Sequence, residues 1–355
     1  MSMTEDTAII QADCVEWLKN QPEPFADLIF ADPPFNIGYK YDVYEDRKKY
    51  NEYHTWTEEW MRGCRDVLKP TGSFWVAIGD DYAAEVRMIG RDLQLTLRNW
   101  VIWHYTFGQN TQRKFSRSHT HLFYFVKDPT RFTFNDKAVR TFSDRQRVYK
   151  DRRANREGRV PDDVWSQFPR ICGTFDEREG WHPCQMPEML LARIIRVCSD
   201  PGDVVLDPFA GSGTSLVAAK KLSRRCIGVE ISKNYVRKVR TRLRNTRPLA
   251  DIVGERDGTW PREHRQELRA LYLEAAVSSE RLFKNPNLLQ SFAQQFNWRL
   301  EQSGVIEGYA VEEIWIQLER LRKAGKLGRV KVHVNEPVGI AIRELNGSLF
   351  EGASK

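Results

Sequence analysis

The sequence predicts an α/β protein built on a doubly wound, mostly parallel, Rossmann-like sheet, with a long insertion and a mostly helical C-terminal extension. Three observations carry that expectation. Apolar runs of strand length alternate with amphipathic runs of helix length over residues 7–245. A glycine-rich turn, LDPFAGSGTS (206–215), joins one such strand to a helix. The alternation lapses between about Asp128 and Trp181 and then resumes, which places an irregular segment between two halves of one sheet.

Taken in order, AIIQAD (8–13) reads as a strand ending in an acid, followed by a short helix at Cys14–Asn20 and a buried strand at 27–31. TEEWMRGCRDVL (57–68) reads as an amphipathic helix stopped by Lys69-Pro70-Thr71-Gly72. SFWVAIG (73–79) is a strand, Tyr82 to Asp92 a helix, and RNWVIWHY (98–105) and HLFYFVK (121–127) two more strands. Beyond the insertion come a helix (186–199), the strand DVVLDP (203–208), a helix through Leu222, the strand RCIGVEI (225–231) and a helix (233–244). Trp165, Phe168, Phe175 and Trp181 near the end of the insertion predict that it is ordered. Past Pro248, residues 262–283, 286–302 and 309–324 suit helices, the last with Val311, Ile314, Trp315, Leu318 and Leu321 on one stripe. GRVKVHV then reads as a strand, and with the basic helix end before it loosely suggests a winged-helix module.

Composition bounds the function. The 355 residues are 41% hydrophobic and 29% charged, with no apolar run of membrane-spanning length and no signal-peptide pattern in MSMTEDTAII. The expected location is the cytoplasm, a bacterial cytoplasm or nucleoid. Six scattered cysteines without a CxxC pair disfavour zinc and a disulfide framework. The net charge of +7 points toward a polyanion, and its distribution is sharper. Arg140 to Arg159 holds eight basic residues against three acids with little apolar periodicity, as a loop meeting phosphates would. Lys220 to Arg247 holds eleven basic residues against Glu230 alone, and reads either as a solvated face or as a second anionic contact.

Two motifs carry chemistry. In Asp32-Pro33-Pro34-Phe35 an apolar strand runs out into a carboxylate on a stiff backbone, since each proline fixes its own φ and restricts its predecessor. In the glycine-rich turn, Gly211 and Gly213 permit positive φ and close approach of backbone to a ligand. GVEIS (228–232) then places Glu230 where such folds grip ribose hydroxyls. A third glycine is missing, so a nicotinamide-dependent oxidoreductase is the poorer reading, and it leaves DPPF and the basic insertion unexplained.

Together DPPF (32–35), HPCQMPEMLL (182–191), DPFAGSGTS (207–215) and GVEIS resemble the S-adenosylmethionine-dependent amino DNA methyltransferases, in the motif order of their β class. The resemblance covers residues 7–245. It implies S-adenosyl-L-methionine as cofactor and S-adenosyl-L-homocysteine as product. Glu230 would bind the ribose and Asp13 the adenine, although Asp13 also reads as a helix cap. Phe209, Gly211 and Gly213 would shape the pocket of the methionine portion, Phe209 reading also as core. Asp32, Asp207, Thr214 and Gln185 would complete the lining. Cys184 and Met186 stand where the family usually has threonine and lysine, so a hydroxyl and a charge toward the cofactor carboxylate are missing. His182 reads either as part of that loop's contact or as a structural histidine.

The resemblance also gives DPPF its chemistry. Asp32 and the Pro33 carbonyl would accept the two hydrogens of an exocyclic amine, Pro34 would stiffen that backbone, and Phe35 would stack on the base. Neither a covalent enzyme intermediate nor a metal is needed. The target is expected to be the N6 amine of an adenine flipped out of double-stranded DNA, with N4 of cytosine as the alternative. A non-catalytic DNA-binding protein and an RNA or protein amide methyltransferase fit less well. Expected DNA contacts are Tyr39, Ser118 and His119, the last two in SRSHTHLFYF with Phe115 and Tyr124 as aromatic neighbours. Arg145, Arg147, Lys150, Arg152, Arg153, Asn155 and Arg156 would serve the recognition segment. The expected division is 1–128 for the catalytic half, 129–181 for target recognition, 182–247 for the cofactor half and 255–355 for the extension. The extension would contact DNA, mediate dimerisation or simply cover core, and its deletion is expected to weaken DNA binding and spare cofactor binding. A homodimer and a cognate restriction endonuclease are further expected partners.

Overall fold

The computed structural model describes residues 7–106, 111–147, 149, 151, 153–173, 177–252, 260–328 and 330. Eight strands form one sheet: β1 (Thr7–Gln11), β2 (Ala26–Ala31), β3 (Leu68–Ile78), β4 (Thr96–His104), β5 (His119–Val126), β6 (Val164–Trp165), β7 (Val204–Asp207) and β8 (Arg225–Glu230). Their order in space is β1-β8-β7-β2-β3-β5-β4-β6. All adjacent pairs are parallel except those of β5 with β3 and β4. The chain order reverses between β7 and β2, and such a switch point opens a crevice at the strand ends.

Helices α1 (Cys14–Lys19), α2 (Tyr50–Val67) and α3 (Ala83–Asp92) belong to the first half, and the four-residue α4 (Asp144–Arg147) lies in the insertion. Helices α5 (Glu188–Cys198), α6 (Thr214–Lys221) and α7 (Lys233–Arg244) belong to the second half. The two sheet faces carry separate apolar cores. Trp60, Phe74 and Ile29 belong to one, and Trp75, Ile194 and Leu216 to the other. That two-sided cover explains strands such as LIFA that are apolar throughout.

Several sequence expectations need correction. Helix α2 begins at Tyr50 rather than Thr57, because Tyr53 packs as core and Glu52 accepts a bond from the Lys49 amide at the helix start. Helix α2 ends at Val67, just before the expected stop Lys69-Pro70-Thr71-Gly72, but that stretch is not a loop ahead of a strand beginning at Ser73. It is a bulge within β3, which pairs Ala26 with Leu68 and then Leu28 with Ser73. Lys69 is held there by Asp27, 2.8 Å away. Tyr124 is core, stacked on Trp75 at 4.6 Å, and not a base contact. The second basic run is only partly solvated. Arg224 and Arg242 turn inward to donate to backbone carbonyls.

The extension forms α8 (Arg262–Ala275), α9 (Ser279–Lys284), α10 (Pro286–Glu301) and α11 (Val311–Lys323) around its own apolar core. The expected helix over 262–283 is two helices, broken where Ala276 takes a left-handed φ of 50° and Ser278 caps α9. The expected strand GRVKVHV lies almost wholly outside the described residues. Among the described residues no helix is long and apolar enough to cross a membrane.

A buried chain of five charges joins the extension to the sheet. Arg193 meets Glu274 at 2.6 Å, Glu274 meets Arg299 at 2.9 Å, Arg299 meets Glu267 at 3.3 Å, and Glu267 meets Arg196 at 2.6 Å. Burial alone would raise the Glu274 carboxyl, but Arg299 and Arg193 outweigh it and hold it down at about 2. The expected clean deletion of 255–355 is therefore untenable, since it would strand two buried arginines of α5. Glu274→Ala is expected to lower unfolding free energy by about 3–5 kcal/mol, read as a shifted urea midpoint. A shift under about 1 kcal/mol would show that the five charges are not coupled.

Candidate active site

At the β7–β2 switch a cavity of about 780 Å³ opens. Its wall includes the expected Asp13, Asp32, Phe35, Asp207, Glu230 and Gln185, with Pro33, Pro34, Phe209, Gly211 and Thr214 beside them. Tyr39 and His119 also border it. Asp32 follows β2 and Asp207 ends β7, so the sheet brings two acids from distant sequence together.

The opening motif is fixed from behind. The buried Tyr53 hydroxyl donates to the Pro34 carbonyl at 2.6 Å, and the Phe35 ring covers Gly79, where an added Cβ would stand 3.2 Å from it. The loop beyond wraps around Asp46, which is 2% exposed. Its carboxylate accepts from the amides of Asn36 at 2.7 Å, Ile37 at 3.1 Å and Tyr39 at 2.9 Å. That concave run of amides needs left-handed backbone, and Asn36 has φ 58°. The Asn36 side chain also donates to Tyr82 and Lys48. Tyr53, Asp46 and Asn36 were not candidates from sequence. The only signal was the asparagine directly after DPPF, a residue tolerant of positive φ.

On the other side, Asp207 accepts from the Phe209 amide at 2.9 Å and from the Ser215 hydroxyl. Glu230 accepts from the Gly211 amide at 2.9 Å through one oxygen and from the Ser232 amide at 2.8 Å through the other. Gly211 and Gly213 have φ of 49° and 74°, but the space each leaves is filled by the protein. An added Cβ would stand 2.9 Å from the His182 ring at Gly211 and 2.6 Å from Val239 at Gly213. The glycines thus serve the turn's own packing, and Gly211 also borders the cavity. Burial lowers His182 to about 4, so its imidazole is neutral.

Three carboxyls in this cavity are hard to ionise. Burial, then the Asp207 charge, pushes Asp32 up to about 8. Burial raises Glu230 to about 7 and Asp207 to about 6 despite their hydrogen bonds.

Other candidates fall differently. Asp13 does cap α1, accepting from Val15 at 2.8 Å and Glu16 at 3.1 Å, while still bordering the cavity. Both ends of the Gln185 amide are taken by backbone, donating to the Glu177 carbonyl and accepting from Glu179, so it shapes its loop. Phe209 packs edge-on to Trp56 and Trp60 as well as lining the cavity. Thr214 shares a hydrogen bond with Ser212. The Ser118 carbonyl accepts from the Tyr105 amide. Arg145, Arg153, Asn155 and Arg156 are exposed on the insertion, and Arg147 pairs with Asp144. Lys150 and Arg152 lie outside the described residues, as does Phe175.

Asp80, His119 and His121 group their ligand atoms closely. Trp100 donates to His121 Nδ1 at 2.9 Å, which leaves the ring proton on Nε2 and removes that atom from metal ligation. The Arg117 guanidinium also holds Asp80 at 2.9 Å. This trio is a hydrogen-bonded wall.

Comparison with known proteins agrees with this geometry. The profile of the N6/N4 methylase family, described as DNA methylase, matches residues 26–241. The chain is 35% identical over 252 residues to the type II methyltransferase M.HpaI of Haemophilus parainfluenzae, covering 71% of this chain and 78% of that one. It is 36% identical over 241 residues to the DNA adenine methyltransferase YhdJ of Escherichia coli (strain K12), covering 66% and 81%. Among solved structures, the PvuII DNA methyltransferase (cytosine-N4-specific) shares the fold with a TM-score of 0.54 at 20% identity, covering 67% of this chain and 86% of that one.

The raised Asp32 pKa has a measurable consequence. The native state keeps this proton up to about pH 8, whereas the unfolded chain loses it near pH 4. Wild-type stability is therefore drained as pH rises through that window. Asp32→Asn should gain melting temperature over wild type by an increment that is small at pH 5 and largest at pH 8–9. Thermal unfolding across that range measures it, and a flat increment would mean that Asp32 is well solvated.

Proposed function

The chain belongs to the DNA methylase family of the N6/N4 class, and from that membership we propose that its site methylates the N6 amine of an adenine flipped out of double-stranded DNA, with S-adenosyl-L-methionine as donor. The observation that carries this reading is the meeting of Asp32, on a proline-stiffened backbone, with Glu230 and the glycine-rich turn in one cavity. Aspartate at position 32 and the adenine enzyme YhdJ among the relatives favour adenine over cytosine.

The residues fit the donor. Each Glu230 oxygen uses one acceptor site on a backbone amide, which leaves others for a ribose diol. Three reluctant carboxyls favour a cationic ligand. Met186 supplies no charge for the donor's carboxylate. Arg170, in the cavity wall and close enough for its charge to act on Cys184 and Tyr39, would take that place. When bound, the donor supplies an electrophilic methyl on a sulfonium.

The protein's part is to prepare the amine. Asp32 accepts one N–H and the Pro33 carbonyl the other, which frees the nitrogen lone pair from the ring. Tyr53 holds the next carbonyl in place, so little ordering is left for the reaction. Phe35 offers its face to the base, and Asp32, in its ionised form, is suited by its raised pKa to take up the proton the amine sheds. Unstacking the base costs a few kcal/mol, offset by these contacts and by phosphate contacts from the recognition region, 129–181. A second copy of the chain and a companion restriction endonuclease complete the proposed partners, the latter suggested by the type II relative.

Asp32→Ala should cut methyl transfer by at least about 10²-fold while DNA binding stays within about threefold. Long-read sequencing of DNA from cells expressing the wild type should find N6-methyladenine in a fixed word. N4-methylcytosine would favour the alternative, and an unmodified genome would count against both. The preference for S-adenosyl-L-methionine over the uncharged-sulfur product S-adenosyl-L-homocysteine should grow from pH 6 to 8.5 as the acids ionise. Calorimetric titration of both ligands tests this, and a constant ratio would oppose it.

A further inference from the structure

We propose that the C-terminal helices set the conformation of the recognition segment, with Arg281 and Gln295 as positioning residues for sequence readout. This rests on the reading of residues 129–181 as the recognition region. The segment presents its charged side chains outward but is bound from behind. Thr141 and Arg159 exchange backbone hydrogen bonds of 2.9 and 2.8 Å, closing the chain between them into a loop with a narrow neck. Phe142, at the neck, is 1% exposed and sits in the apolar core of the C-terminal helices.

Within the loop, α4 carries Arg145 and Arg147 and is too short to persist by its own hydrogen bonds. Arg281 of α9 donates to the last carbonyls of that turn, to Gln146 at 2.9 Å and to Arg147. A guanidinium at a helix C-terminus satisfies carbonyls that the helix itself cannot. Across the loop, Gln295 of α10 is 1% exposed and its amide nitrogen faces the Glu157 carbonyl at 3.4 Å. Gly158 there has φ 81°, and an added Cβ would stand 2.4 Å from the Thr141 carbonyl oxygen and 3.0 Å from the Gln295 amide nitrogen. Beyond the loop, Trp165 and Phe168 lie on the Arg193 guanidinium at 5.0 and 4.4 Å, and Glu274 of α8 holds that guanidinium.

Three C-terminal helices therefore grip the segment at its neck, its turn and its base. The side chains of Arg145 and Arg153 remain 67% and 85% exposed. These helices lie outside the 26–241 stretch that matches the family. Reading base edges requires side chains held in register, and a loop already ordered avoids an entropic loss on binding.

The test uses the full-length protein and unmethylated genomic DNA, comparing Arg281→Ala, Arg281→Lys, Asn155→Ala and Arg156→Ala. Arg281→Ala should raise KM for DNA about tenfold and spread methylation, read by long-read sequencing, to words departing from the wild-type one. Its Kd for S-adenosyl-L-methionine should stay within about twofold, and Arg281→Lys, which keeps a charged donor, should recover much of the loss. The proposal is overturned if Asn155→Ala or Arg156→Ala alters KM or word while Arg281→Ala alters neither. It is also overturned if Arg281→Ala weakens cofactor binding and kcat along with KM, since that is general loosening. If none of the four variants moves KM or word, the recognition reading itself fails and takes this proposal with it.

Discussion

Keeping three carboxyl groups together in one poorly solvated cavity is the constraint around which the core is organised. Asp32, Asp207 and Glu230 stand at the ends of β2, β7 and β8, which are neighbours in the sheet. Unaided, burial and mutual repulsion would keep all of them protonated or drive them apart. The surrounding backbone is arranged to tolerate them. Amides of Phe209, Gly211 and Ser232 point at two of the three acids, and the turn that aims two of those amides is what the positive-φ glycines make available. His182 and Val239 lock that turn by filling the spaces above the glycines. Arg242 ties the turn's Ser212 carbonyl and Glu179 into one piece.

Much of this was legible because local chemistry and fold agree. The apolar strands, the glycine turn and the acid at the end of β8 each carry a pattern within ten residues, and the motif order then specifies which strands become neighbours. Asp13 shows the limit of such reading. Its two candidate roles were both local, and the structure satisfies the capping one without removing it from the cavity. What sequence hid are contacts made across long separations. Nothing around Tyr53 marks it as the partner of Pro34, and Asp46 looks like any loop acid until the chain folds back around it. Arg224 was counted within a basic run, yet it is buried and donates to the Ser199 carbonyl at 2.5 Å. Charge counted along a chain cannot distinguish an arginine facing phosphate from one clamping two layers.

The same limit governed the extension. Composition showed that something changes after Pro248 and gave helices, but an apolar stripe does not name the surface it covers. The five-charge chain explains the attachment. Arg193 and Arg196 on α5 are on the face an amphipathic helix would bury, and burial is tolerable only because Glu267 and Glu274 arrive from α8. A buried ion pair is seldom more stable than an apolar one, but it penalises every arrangement that leaves a member unpaired. It therefore fixes the orientation of the extension against the sheet, with the inserted segment seated between them.

Among the described residues no basic side chain offsets the forces on the Asp32 carboxyl, and this has a chemical logic. What acts on that carboxyl is burial and the Asp207 charge, both opposing ionisation. An arginine salt bridge would have kept it ionised at all working pH, but would also have occupied the oxygens that, in the proposed reaction, accept hydrogens from an amine. Setting acid against acid leaves those oxygens uncommitted. The rigidity that a salt bridge would have supplied comes instead from the two prolines and from Tyr53 on the Pro34 carbonyl. Position is thus fixed through the backbone, while the side chain stays chemically available.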